Sequence, residues 1–166
     1  MTALTQWLAD RQLLDFGVLA LGLDRGWATA AEVSDYATGM VGTGDERPEV
    51  IALAGANATD AEGVLDALRQ LAHADALPTE QEEQALRRWM FARLSQIAHN
   101  NASPDAKLDL LEEAYAELGY PEEMRECSRY YVPPADRDRG LKVGDHTTSP
   151  LEALDAVLER LSAEFT

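Results

Sequence analysis

Apolar residues recur at intervals of three and four along most of the chain, which is the spacing of amphipathic α-helices. No stretch alternates apolar and polar residues over a useful length, so the pattern predicts no sheet. The clearest helix follows Ser103, a good N-cap, and Pro104, which suits the first helical position. Gly119 is expected to end this helix in the left-handed conformation and to turn Tyr120 back towards Tyr115.

The whole pattern predicts an all-α fold, a single domain over residues 1–166 with about seven to eight helices in an antiparallel array or irregular bundle. In the first helical region, residues 4–23, Gly17 and Gly22 argue against one continuous helix. The polar stretch at about 133–148 has no periodicity and predicts an exposed loop. Four capping boxes mark helix starts: Thr29 with Glu32, Thr59 with Glu62, Thr79 with Glu82, and Ser149 with Glu152.

The net charge of the chain limits the kinds of partner that it is expected to bind. The chain carries 14 basic and 30 acidic residues, a net charge of −16. Phosphate binding needs a basic face, so nucleic acid and anionic membrane surfaces are unlikely partners. A basic protein would be attracted, although the acidity is equally consistent with a role in solubility. Residues 1–83 carry 15 acidic and 4 basic side chains, so an electrostatic binding face is expected in the first half.

The sequence predicts neither a metal site nor a cofactor, and it offers no catalytic residue. The three histidines have no ligand spacing, and Cys127 is the single cysteine, which suits a reducing cytoplasm. Cys127 also follows an apolar stripe, which is typical of a buried structural thiol. Adjacent carboxylates such as Glu112 and Glu113 fall on polar helix faces and predict a solvated surface. No signal peptide or membrane-spanning run is evident, so we expect a cytoplasmic protein.

Three sequence features resemble a known group of proteins. The run LDLLEEAYAELGYPEEM at residues 108–124 and the Arg25–Gly26–Trp27 turn, together with the acidic helix before the run, are similar to a family of uncharacterised bacterial proteins found beside polymorphic secreted toxins. The resemblance implies an immunity protein that binds and neutralises a cognate toxin domain by occlusion. Two alternatives stay open: an enzyme that uses Asp145 and His146 in the 133–148 loop, and a helical adaptor without a toxin partner.

The candidate partner-binding residues are acids in exposed segments and aromatic residues beside the polar loop. Aromatic residues next to a charged loop suit a protein interface. Tyr131 follows an apolar stripe, which favours packing in the core, whereas both interpretations remain open for Tyr130. The set comprises Asp45 and Glu46 in a glycine-containing loop, Glu80, Glu82 and Glu83 at the start of the longest helix, and Tyr130 and Tyr131.

Overall fold

The computed structural model describes residues 1–56, 60–73, 78–132 and 149–165, and across these residues it is all-α without a strand. The predicted fold class is therefore confirmed. The helices are α1 (Ala3–Asp10), α2 (Phe16–Asp24), α3 (Ala30–Gly42), α4 (Pro48–Ala54), α5 (Ala61–His73), α6 (Pro78–Ala98), α7 (Pro104–Glu117), a 3₁₀ helix (Glu122–Cys127) and α8 (Pro150–Glu164).

Local capping chemistry sets several of these boundaries. The Ser103 hydroxyl accepts a hydrogen bond from the Ala106 N–H and begins α7, as predicted. Two of the predicted capping boxes are complete, at Thr29 in α3 and at Ser149 in α8. The boxes predicted at Thr59 and Thr79 depend on side chains outside the described part of the structure.

The predicted exit from α7 is also confirmed. Gly119 has φ +82° and Tyr120 has φ +59°, both in the left-handed region. The Tyr120 N–H donates to the Tyr115 carbonyl at 2.8 Å, and the two rings meet edge to face with centroids 5.1 Å apart. Glycine is favoured at the first of these positions because it has no Cβ to clash there.

The helical region predicted at residues 4–23 is interrupted before the two glycines, between Asp10 and Phe16. Helix α1 ends at Asp10, Gln12 has φ +59°, and α2 begins after Asp15. The Asp15 carboxylate caps α2 by accepting a hydrogen bond from the Val18 N–H at 2.8 Å. Gly17 lies inside α2, so the interruption comes from the residues between the helices.

Gly22 also lies inside α2, and tight packing explains its position. A Cβ at Gly22 would overlap the ring of Trp89, whose Nε1 donates to the Val18 carbonyl at 2.9 Å. The Trp89 ring also packs against Trp27, with centroids 5.7 Å apart. The indole therefore occupies the space that a side chain at position 22 would need.

The chain forms two compact units, Met1–Trp89 and Met90–Thr166, and α6 contributes to both. In the first unit α3 packs on α4 and α2 packs on α5, and in the second the 3₁₀ helix packs on α8. The single-domain organisation stays a prediction. Fully buried side chains form the core of each unit: Leu8, Leu19, Val33, Val50, Leu53, Leu68 and Trp89 in the first, and Met90, Leu94, Ile97, Leu111, Met124, Leu154 and Leu161 in the second.

Candidate functional site

The predicted acidic residues of α6 lie on an exposed surface in its first two turns. Glu80, Glu82 and Glu83 are all exposed, and none of them forms an ion pair with another described residue. Carboxylates near a helix N-terminus interact favourably with the helix dipole. Glu80 and Glu83 are three residues apart and therefore lie on one face. These three carboxylates can meet a cationic partner without first breaking an internal pair.

The other predicted acidic residues, Asp45 and Glu46, differ in their surroundings: Asp45 is paired within the fold and Glu46 is exposed. Asp45 accepts hydrogen bonds from Arg47, with Nη2 2.6 Å from Oδ2, and its side chain is only 13% exposed. The hydrogen bonds from Arg47 hold the pKa of Asp45 below its usual value. Glu46 is exposed. Asp45 thus orders the loop before α4, and Glu46 is the accessible member of the pair.

The two tyrosines differ in the same way. Tyr130 is 65% exposed, whereas Tyr131 is half-buried with the Arg125 guanidinium 4.8 Å above its ring. Val132, the next residue, is buried. Tyr130 is therefore the aromatic residue of this segment that a partner can reach, while Tyr131 mainly packs.

Glu112 has a structural role that the sequence did not reveal. The expectation that it faces solvent with Glu113 is wrong for Glu112, which accepts hydrogen bonds from the Arg129 N–H at 2.7 Å and the Ser128 hydroxyl at 3.1 Å. The neighbouring Asp109 carboxylate lies 2.6 Å from the Arg129 guanidinium. These contacts hold residues 128 and 129, which directly precede Tyr130, against helix α7. The partners are 16 and 17 residues away in sequence, so helical periodicity carries no signal for them.

A cleft in the first unit gathers polar groups that the sequence analysis did not connect. It has a volume of about 290 Å³ and lies at the N-terminus of α2. Arg88 pairs with Asp15, and Arg47 lies over the Phe16 ring with 5.8 Å between Cζ and the centroid. The residues that line the cleft are Asp15, Phe16, Gly17, Val18, Arg47, Leu71, Gln81, Gln84, Ala85 and Arg88.

Tyr36 contacts Phe16, which lines the cleft, and the segment just before it. Its hydroxyl donates to the Leu14 carbonyl at 3.0 Å, and its ring meets Phe16 edge to face at 5.2 Å. Burial, followed by the negative charge of Asp15, raises the pKa of Tyr36. These contacts fix the residues between α1 and α2, including the aspartate that caps α2.

A comparison with known protein families identifies the family to which the chain belongs. A family described as "Uncharacterized protein conserved in bacteria (DUF2247)" matches residues 7–163. The chain belongs to the DUF2247 family. The resemblance to an uncharacterised bacterial family is therefore confirmed, while the association with toxins stays a prediction. The sequence matches neither a curated protein nor a solved structure.

Cys127 is the single cysteine of this DUF2247 protein, and its surroundings determine the reactivity of its thiol. Cys127 is buried, as predicted, and burial raises the pKa of its thiol to about 12, so the reactive thiolate is disfavoured. Across residues 1–56, 60–73, 78–132 and 149–165, no three His, Cys, Asp or Glu side chains group as metal ligands do. The predicted 133–148 loop, with Asp145 and His146, lies outside the described residues. None of the described helices is long and apolar enough to cross a membrane.

Proposed function

We propose that this DUF2247 protein binds a basic protein partner, and that the partner is a toxin domain which it neutralises by occlusion in the cytoplasm of the producing bacterium. The observation that carries the proposal is the exposed carboxylate surface at the start of α6, formed by Glu80, Glu82 and Glu83. The net charge of −16 supports it because such a field attracts a cationic partner over a distance. The toxin identity rests on the resemblance of residues 108–124 and of the Arg25–Gly26–Trp27 turn.

The exposed position of these side chains supports the proposed mechanism. Carboxylates that are exposed and form no ion pair with another described residue can approach arginine and lysine side chains of a partner directly. Charged groups at an interface chiefly set the association rate, which salt then screens. Occlusion requires the acidic residues to cover the cationic site on which the toxin acts. Glu46, which is exposed in the same unit, would add to this contact if the bound surface extends to it.

A charge-reversal experiment tests the binding surface. We expect the Glu82→Lys/Glu83→Lys variant to associate with the toxin domain encoded beside it about tenfold more slowly, with little change in dissociation rate. The matched control is Asp155→Lys/Glu159→Lys, which changes the net charge equally at exposed positions on α8. Stopped-flow association at several salt concentrations gives both rates, and circular dichroism checks the fold. Equal slowing by the two variants, or none by either, would contradict the assignment of the surface to α6.

The toxin identity needs a separate experiment. Bacteria that express the neighbouring toxin gene should survive only when this protein is co-expressed, and the α6 reversal should reduce survival more than the α8 reversal. If no neighbouring gene product is toxic, or if toxicity persists with the wild-type protein, the toxin assignment fails. Binding to another basic protein would still leave the acidic surface supported.

A further inference from the structure

The end of α3 and most of α4 present an exposed surface of the first unit that carries no charge. Residues 36–44 and 50–56 contain no charged side chain, although 27% of the chain is charged. The two helices pack against each other. The uncharged face, as the term is used below, consists of six exposed residues of these stretches: Thr38, Gly39 and Val41 in α3, and Ile51, Ala52 and Gly55 in and directly after α4.

The side of α3 that lies next to α4 contributes Thr38 and Val41 to this face. The Ser34 hydroxyl donates to the Ala54 carbonyl of α4 at 3.0 Å, and residues four and seven positions later in a helix lie on the same side. The Thr38 hydroxyl in turn donates to the Ser34 carbonyl at 2.8 Å. Its donor therefore keeps a partner when the face is covered, so that burial of Thr38 costs little.

Two apolar side chains of the uncharged face are accessible to solvent. Ile51 is 51% exposed and Val41 is 38% exposed, whereas Val50 and Leu53 on the opposite side of α4 are buried. The cores of protein interfaces are depleted of charged residues, and exposed apolar side chains often mark them. The combination of exposed aliphatic side chains with a lack of charge is therefore typical of a surface that another protein covers.

Gly39 leaves a shallow place on the same face. It lies inside α3, where glycine is less favourable than alanine, and a Cβ built on it would meet no atom within 4 Å. Packing within the fold therefore does not require glycine at this position. Because glycine has no side chain, an apolar side chain of another molecule can approach the backbone of α3 closely here.

We propose that the uncharged face binds a second copy of this chain in a two-fold symmetric dimer, with Ile51 of each copy against Gly39 of the other. Two copies with a net charge of −16 repel each other, and a two-fold interface places each patch against the same patch. An acidic patch would then meet its own charge, whereas the uncharged face does not. A basic partner is attracted by carboxylates and gains nothing from their absence. The dimer does not depend on the α6 acidic surface or on a toxin partner.

Sedimentation equilibrium of the full chain, from about 10 µM to about 1 mM, tests the proposal. We expect the mass to rise from that of a monomer towards that of a dimer over this range, because a small interface gives weak association. Asp35, Glu46 and Glu49 are exposed and flank the face in sequence, so salt should screen their repulsion and strengthen the dimer. A monomer at every concentration, or a dimer that weakens as salt is raised, would overturn the proposal.

Matched charge substitutions assign the dimer to the uncharged face. Ile51→Glu should raise the dimer Kd about tenfold or more, because it buries a carboxylate in each half of the interface. Ala61→Glu adds the same charge at an exposed position at the start of α5, outside the face, and should change the Kd little. Circular dichroism checks the fold, and Ala52→Glu on the same face takes the place of Ile51→Glu if that variant does not fold. Equal weakening by the face variant and the control, or none by either, would overturn the assignment. A monomer that sediments with phosphatidylcholine vesicles would overturn the second copy in favour of a lipid surface.

Discussion

Glu32 offers the sharpest test of how this fold is held together. Its carboxylate is 3% exposed, yet it accepts hydrogen bonds from the first turns of two helices. It receives the Thr29 N–H at 2.9 Å in the capping box of α3, and it also receives the Thr2 N–H and the Thr5 hydroxyl of α1. One buried anion therefore satisfies donors at the N-termini of both α1 and α3, and the partial positive charge of each terminus stabilises it.

The lowered pKa of Glu32 gives the size of its contribution to the free energy of unfolding. Burial raises this pKa, but the hydrogen bonds from Thr5, Thr2 and Thr29 outweigh burial and lower it from 4.5 to about 2. Because the pKa in the folded state is depressed, ionised Glu32 stabilises the fold at pH values above the unfolded pKa. This stabilisation falls as the pH drops from about 5 to about 2, and the full effect is worth about 3 kcal/mol.

Urea unfolding of wild type and Glu32→Gln at pH 7 and pH 3 tests this reasoning. We expect the variant to lower the free energy of unfolding by about 2–3 kcal/mol at pH 7, and by clearly less at pH 3, where part of the wild-type stabilisation is already lost. The matched control is Glu152→Gln, in the exposed capping box of α8, which should cost less than about 1 kcal/mol. An equal cost at both pH values, or no excess over the control, would refute the role of the buried charge.

Two further substitutions test the packing and the α7 network by urea unfolding. Gly22→Ala should cost about 1–3 kcal/mol or more because its Cβ meets the Trp89 ring. Gly39→Ala, in α3 with open space around it, should be neutral or stabilise by up to about 1 kcal/mol, and similar effects of the two would contradict the tight packing. Glu112→Ala removes the acceptor of a backbone N–H and should cost about 1–3 kcal/mol, against about 0.5 kcal/mol or less for exposed Glu113→Ala. If both glutamates prove equally dispensable, the network contributes nothing measurable.

The features that the sequence predicted correctly are those encoded within a few residues. The Ser103 cap and the Gly119 exit depend on neighbours in the chain, so residue type alone indicates them. The missed features join distant segments. Asp15 pairs with Arg88, 73 residues away, and Glu32 bonds to Thr5, 27 residues away. Periodicity shows which face of a helix is apolar, but it does not show which polar side chain at the edge of that face will meet a partner.

This distinction changes how the acidity of the chain should be interpreted. Four carboxylates already accept hydrogen bonds within the fold: Glu32, Asp15, Asp45 and Glu112. Their negative charge therefore contributes first to the stability of the fold. Losing such a carboxylate should act first on the free energy of unfolding. The carboxylates left for a partner are the exposed ones without an ion pair among the described residues, and the start of α6 concentrates three of them. A charge reversal that slows association while leaving the unfolding free energy unchanged is therefore the signature that separates a binding carboxylate from a structural one.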